Sequence, residues 1–363
     1  MQGSKLSRRD LLKTSSAILA APLLSPAAVK AAAPPATAIT PELIEVARKE
    51  GKVVYYTSVD LPLAERIAKS FEAKFPGISV RVERSGAERI FQRIGQEYSS
   101  RIHAVDVVNS SDASHFIVWR REGILAPFVP EDVARYYPDE HKDAEGLFAS
   151  FRIGLSVIGY NTDLIKAADA PRSFADLLDA RWSGKMVKAH PSYSGTILTA
   201  TFQIVRDLGW DYLEKLARQR VMQVQSASDP PKKLVLGERA VMADGNEYNL
   251  LQFKEAGKPV EIVYPDQQPD GLGTLYIPNT IAILQGCPHP QQARQLADFL
   301  LSAEVESELS RGPSGQVPLH ADAPGTGRIR SPSELRTMQV DFAAAGARWE
   351  EVARFLGDEF SAP

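Results

Sequence analysis

Ser192, Ser194, Gly195 and Thr196 stand where an apolar run, Lys185 to Ala189, meets a segment with apolar residues at helical spacing, Ile197 to Val205. A strand that turns into a helix here leaves the first helical N–H groups without intrahelical partners, at the positive end of the helix dipole. Hydroxyls beside those N–H groups make a seat for a small anionic group. The same residue types also serve as an ordinary helix cap, and the local sequence leaves both readings open. Polar clusters of this kind recur after β-rich runs: Thr57-Ser58-Val59-Asp60, Ser85-Gly86, Asn109-Ser110-Ser111, Gln225-Ser226 and Asn246-Glu247-Tyr248-Asn249. In open α/β sheets ligands bind at the carboxyl ends of strands, so several clusters on one edge outweigh any one of them.

Catalytic chemistry finds less support. The chain has no HExxH, no nucleophile elbow, no glycine-rich nucleotide loop and no Cys/His pair. The single cysteine, Cys287, rules out an intrachain disulfide and reads as a packed small residue. His103, His115 and His190 lack metal-ligand spacing and read as structural or exposed. Tyr136-Tyr137 lies in a proline-rich loop with no strand end beside it. Arg89 and Arg101 are available as charge partners for an anion, although each also reads as a solvated surface arginine. No cofactor or metal set is expected from these patterns.

The elements that must position the clusters alternate between strand and helix. Pro41 to Glu50 reads as a helix stopped by Gly51, and Lys52 to Ser58 as a strand. Asp60 is placed to cap a helix whose apolar face is Leu63, Ile67, Phe71 and Phe75. Ser85 and Glu88 have capping-box spacing before a helix through Ile90 and Ile94. Ala104 to Val108 is a third strand. Ser173 to Arg181 reads as a helix, Val221 to Val224, Ala240 to Ala243 and Val260 to Val263 as strands. Two long β-type runs interrupt the alternation, Phe151 to Asn161 and Gly273 to Ile283, the second carrying Tyr276; they read as crossings between two lobes. The tail is expected to pack on the first lobe.

The chain has 363 residues, 44% of them hydrophobic, enough for two cores. A net charge of −3 argues against a surface built for nucleic acid. Ser7-Arg8-Arg9-Asp10-Leu11-Leu12-Lys13, a moderately apolar stretch and an alanine-rich tail read as a twin-arginine export signal covering residues 1–33.

The order and spacing of Lys52 to Ser58, Phe75-Pro76-Gly77-Ile78, Ala104 to Val108, Gly159-Tyr160-Asn161 and the late Leu296-Ala297-Asp298-Phe299-Leu300-Leu301-Ser302 resemble the bacterial solute-binding proteins of ABC importers. The branch is the ferric-iron, sugar-phosphate and phosphonate type. The resemblance implies a periplasmic-binding-protein type II fold: two Rossmann-like α/β lobes joined by two hinge strands, closing on ligand. Lobe 1 is then 41–155 with 278–363, and lobe 2 is 156–277. It implies no catalysis, and places the Ser192–Thr196 loop where family members hold an anion.

The expected ligand set is Thr57, Ser58, Ser85, Gly86, Asn109, Ser110, Ser192, Ser194, Gly195, Thr196, Ser226, Tyr248 and Tyr276. The implied function is capture of a small anionic solute, phosphate- or phosphonate-bearing, for an inner-membrane ABC permease. The protein is expected as a periplasmic monomer exported by the twin-arginine machinery. Ferric iron is the alternative cargo. Iron-binding members carry two adjacent tyrosines, where this chain has Tyr248 followed by Asn249, so Tyr248 leads any iron set, with Asp60, Glu88 or Glu247. A periplasmic enzyme is the third reading.

Overall fold

The computed structural model describes residues 32–190 and 194–347. In chain order the elements are α1 (Pro41–Glu50), β1 (Lys52–Thr57), α2 (Leu61–Lys74), β2 (Ser79–Arg84), α3 (Ala87–Ser99), β3 (Val107–Ser110), α4 (Ala113–Arg121), β4 (Leu125–Ala126), α5 (Glu131–Tyr136), β5 (Ala149–Ser156) and β6 (Ile158–Asn161). Then follow β7 (Met186–Ala189), α6 (Gly195–Leu208), α7 (Trp210–Arg218), β8 (Met222–Val224), α8 (Pro230–Val235), β9 (Val241–Met242), α9 (Glu247–Glu255), β10 (Val260–Val263), β11 (Leu275–Leu284), α10 (Pro290–Leu300), α11 (Ala303–Arg311) and α12 (Phe342–Ala347).

They form two sheets, ordered β2-β1-β3-β11-β4 with β5 on β11, and β10-β6-β9-β7-β8. In the first, β1 runs parallel to β2 and β3, as βαβ connections require. In the second, β7 runs parallel to β8 and β9. Both sheets are mixed, because β11 is antiparallel to β3 and β6 is antiparallel to β9 and β10. Each sheet is covered by helices on apolar faces. In the first lobe Phe299 meets Phe71 and Phe75 edge to face, beside Val53, Ile67 and Leu296 of the same core. In the second, Met186, Phe202, Leu213 and Val241 form the centre.

The two long β runs are one antiparallel ribbon, β5 on β11, from Leu275 opposite Ser156 to Ile281 opposite Ala149. Leu275 and Ile277 belong to the second core, Ile281 and Ile283 to the first. The register shifts at Asn279/Thr280, where the ribbon passes from one lobe to the other.

The chain also crosses a third time. Val305 and Leu309 pack in the first core, but Ile329 lies in a second-lobe cluster and Met338 and Ala345 join the second core. The tail therefore bridges the lobes: Met338 and Ala345 join the second core, while α12 packs on α4 of the first lobe as well as on α6 of the second. Arg328 ties this crossing down: its Nη1 donates to the Ser310, Arg311 and Gly312 carbonyls at the end of α11, and its Nε donates to Glu255 on α9 at 2.8 Å.

Three local expectations change. The segment from Ser173 forms two short 3-10 turns, Ala175–Leu178 and Ala180–Trp182; Ser173 Oγ accepts the Asp176 N–H in the first, and Asp179 caps the second. The Tyr136-Tyr137 pair is not wholly in a loop: Tyr136 ends α5, and Tyr137 just after it is buried and donates its hydroxyl to Glu306 at 2.5 Å. Ser85 and Glu88 make no capping box; Gly86 is the N-cap of α3 without a side-chain bond, and Glu88 is buried against His115.

Candidate functional site

A cavity of about 750 Å³ lies between the lobes. Strand ends and helix starts of both sheets supply its walls, and the hinge ribbon supplies Arg152, Gly154 and Asn279. Of the residues singled out by sequence, Ser58, Gly86, Ser194, Thr196, Ser226 and Tyr248 line it. Thr57 and Asn109 do not. They are register partners on β1 and β3, bond each other at 3.1 Å, and Asn109 donates to the Thr280 carbonyl, so both act inside the sheet. Ser110 is bonded to His115 Nδ1 at 2.8 Å behind the cleft wall. Ser85 is not part of the lining, and Tyr276 packs between the clusters of the two lobes beside His141. Ser192 lies outside the described residues.

The first turn of α6 meets the opposite lobe directly. A Cβ on Gly195 would sit 2.7 Å from the Asp112 Cβ and 3.1 Å from the Ala87 Cβ. Thr196 Oγ1 donates to the Ser111 carbonyl at 3.4 Å, and Ser58 Oγ accepts from Ser111 N–H. Gly195 is therefore a seam between lobes, with Ser194 and Thr196 flanking it along the cavity edge.

Behind this seam Glu88, Asp112 and His115 each bring a ligand-type atom within 4.8 Å of the others. The imidazole is engaged at both nitrogens, by Glu88 at 2.8 Å and by Ser110. Asp112 Oδ1 accepts the N–H and O–H of Ser114, capping α4. Burial opposes the imidazolium, but Glu88 and Asp112 outweigh it and raise the His115 pKa. The group is a buried buttress under the seam.

Asp60 is the residue whose role changes most. It stands at the N-cap of α2 but makes no side-chain cap bond. Its carboxylate instead crosses to the second lobe, accepting Ser228 Oγ–H at 2.9 Å, Asn249 Nδ2–H at 3.1 Å and the Tyr248 hydroxyl at 3.3 Å. Burial and the Asp60 charge both push the Tyr248 pKa up, with Arg152 opposing them.

Sequence reading passed over Arg152. It lies on β5 opposite Asn279, 4% exposed, its guanidinium 5.0 Å from the Tyr248 ring centroid. The signal was present: Arg152 is the one charge in Phe151 to Val157, and period-two alternation puts it on one face with Gly154. Arg66 and Arg84 were also missed, because nothing in a helix or strand-end position marks an arginine as cleft-facing.

Glu247, in the first turn of α9, accepts the Leu155 N–H at 2.7 Å. Burial raises its pKa to about 8, against the backbone donors and Arg152. Burial likewise raises Glu306 to about 7. A carboxyl raised in the folded state holds a proton there that the unfolded chain has already released. Its stabilisation is complete below the ordinary carboxylate range and is lost as pH climbs through the folded value. The ligand-free protein is therefore expected to melt at a lower temperature at pH 8.5 than at pH 5.5. Glu247→Gln, which keeps an acceptor for Leu155, should flatten that slope in thermal melts across the range; an unchanged slope would remove Glu247 as a source.

A family model of bacterial extracellular solute-binding proteins matches residues 105–344. A putative 2-aminoethylphosphonate-binding periplasmic protein of Salmonella typhimurium is 28% identical over 299 residues, covering 79% of this chain and 83% of the relative. Among solved structures, the periplasmic binding protein AfuA of Actinobacillus pleuropneumoniae, with fructose-6-phosphate bound, superposes with a TM-score of 0.77 at 24% identity, over 86% of this chain and 99% of that one. Iron-bound HitA of Pseudomonas aeruginosa gives 0.73 at 23% identity, over 84% and 99%. These likenesses to solved structures carry the fold, two α/β lobes of the type II binding-protein kind. With the family match spanning most of the folded chain, the protein belongs to the bacterial extracellular solute-binding proteins, as a periplasmic substrate-binding component of an ABC importer.

Proposed function

We propose that the interlobe cleft captures a small anionic solute bearing a phosphate or phosphonate group, and hands it to an inner-membrane ABC permease. The observation that carries this is the charge of the lining. Arg66, Arg84, Arg89, Arg152 and Lys232 face the cavity against two acids, Asp60 and Asp229. Asp229 is paired with Lys232 at 2.9 Å, and Asp60 accepts from three neutral donors of the second lobe, so the lining carries more cations than acids. Cationic excess in a low-dielectric cleft concentrates anions, and the hydroxyl and amide groups of both lobes add neutral donors.

Within that class an aminoalkylphosphonate is the narrower fit. Asp60 offers a carboxylate to an ammonium group within the same cavity as Arg152, and the Salmonella relative carries that ligand in its name. Ferric iron would need Tyr248 as a phenolate beside Asp60. Tyr248 is followed by Asn249 and not by a second tyrosine, which leaves few hard oxygen ligands at this junction, so iron is the weaker reading. Transport in place of catalysis, export by the twin-arginine route and a monomeric state belong to the same proposal. The Ser7–Lys13 signal lies outside the described residues.

The test is a thermal-shift screen of the mature protein with 2-aminoethylphosphonate, fructose 6-phosphate and ferric citrate. A ligand at about a hundred times Kd adds roughly 2.7 kcal/mol, a shift of a few degrees in a protein of this size. A shift with the phosphorus acids supports the proposal. A shift with ferric citrate alone, with a visible charge-transfer band lost in Tyr248→Phe, overturns it in favour of iron.

A further inference from the structure

Arg152 is a buried cation with no ion pair among the described residues, and its Nε and Nη1 have no hydrogen-bond acceptor. Two other buried cationic side chains have an acid beside them: Lys188 lies 3.5 Å from Asp244, and His115 2.8 Å from Glu88. The acid nearest along α9, Glu247, turns its carboxyl to the Leu155 N–H. A guanidinium cannot escape burial by releasing its proton, as a lysine can. Its cost therefore persists until an anion faces it. The arginine lines the cavity on the ribbon that joins the lobes, with Asn279 directly opposite on β11 and also in the lining.

The other seat, the first turn of α6, is partly engaged across the cleft, although Ser194 and Thr196 line the cavity. Gly195 packs on the Asp112 side chain, and a Cβ there would lie 3.4 Å from Asp112 Oδ2. Its flanking Thr196 hydroxyl is turned to the Ser111 carbonyl. Gly195 and Thr196 thus join the lobes at the cavity edge.

We infer that the anionic group of the ligand is received at the cleft floor by Arg152, with Asn279 beside it, and that the α6 turn acts as the closure seam. This rests on the anionic reading of the cleft and adds where the charge is held. An anchor on the hinge ribbon belongs to neither lobe alone. The anion then neutralises a charge whose burial is completed by closure, so charge recognition and lobe closure become one event.

The experiment is calorimetric titration of the mature protein with 2-aminoethylphosphonate, fructose 6-phosphate and succinate, at low and high salt. The variants are Arg152→Gln, Arg152→Lys, Ser194→Ala and Thr196→Val. Arg152→Gln is expected to weaken binding by about 100-fold and to flatten the salt dependence. Arg152→Lys should recover about a tenth of the wild-type affinity, since the charge returns without the planar fork. Ser194→Ala and Thr196→Val should each cost less than about fivefold. Ligand-free melting of the Arg152 variants should match or exceed wild type. Binding by Arg152→Gln within about threefold of wild type, or a larger loss in Thr196→Val, overturns the inference.

The two levels separate cleanly. If the wild type takes succinate but neither phosphorus acid, and loses it in Arg152→Gln, the phosphorus reading falls and Arg152 stands. If it takes none of the three, the anionic reading falls and the inference with it.

Discussion

Gly195→Ala should leave the ligand-free protein folded and cost it most of its ligand affinity. Gly195 opens α6, and its backbone is not in the left-handed region, so alanine is compatible with the local conformation. Alanine is the better helix former by up to about 1 kcal/mol. The conflict arises across the cleft. The new Cβ would lie 2.7 Å from the Asp112 Cβ and 3.1 Å from the Ala87 Cβ, where carbon atoms prefer about 3.5–4.0 Å. Neither neighbour yields easily, since Asp112 caps α4 and Ala87 begins α3. The seam must part by about an ångström, and the cleft cannot close fully. Kd is expected to rise about 10- to 100-fold, equivalent to roughly 1.4–2.8 kcal/mol. Small-angle scattering of the ligand-saturated variant should show a larger radius of gyration than saturated wild type, with ligand-free melting unchanged or slightly raised. Wild-type affinity in this variant would mean that the Gly195 contact is not part of the bound state.

The second large effect is expected at Asp60. Asp60→Ala removes the carboxylate that gathers Ser228, Tyr248 and Asn249 from the other lobe. Because Asp60 gives α2 no side-chain cap bond, the helix itself loses little. Hydrogen bonds to a charged group contribute about 1.5–3 kcal/mol each, so the closed arrangement should lose at least that much in total. Binding of fructose 6-phosphate is expected to weaken about tenfold. Binding of 2-aminoethylphosphonate should weaken further, about 100-fold, if its ammonium group also uses Asp60. Equal losses for the two ligands would confine Asp60 to holding the lobes. Tighter binding would show that its carboxylate competes with the ligand for the second-lobe donors.

These two positions show how far local sequence reaches. The cluster Thr57-Ser58-Val59-Asp60 is readable as a strand end before a helix, and the strand ends at Thr57. Which of its side chains face the cavity depends on pleat and register. Thr57 lies opposite Asn109 and bonds it within the sheet, while Ser58, one residue on, lines the cleft. A one-residue step reverses the face of every strand side chain. Ser85 and Glu88 have the spacing of a capping box, but the spacing does not reveal that Glu88 is taken by His115 from another helix. The tail was assigned to the first lobe alone for a similar reason: its few apolar residues show no strong periodicity, and only the fold shows that α12 lies against both α4 and α6.

The sequence by itself determined the alternation of strands and helices, the two long runs that became the hinge ribbon, and the polar junctions between elements. Each of these follows from periodicity and capping over a few neighbouring residues. It also carried the kinship to solute-binding proteins, through the order of those junctions. The tertiary structure alone decided what the junctions do. It brought Gly195 against Asp112 from 83 residues away in number, turned Asp60 from a helix cap into a bridge between lobes, and left Arg152 buried at the cleft floor without a counter-ion among the described residues. A local pattern specifies a conformation, whereas a binding site is a convergence of side chains from distant elements, set by sheet register and by how two lobes meet.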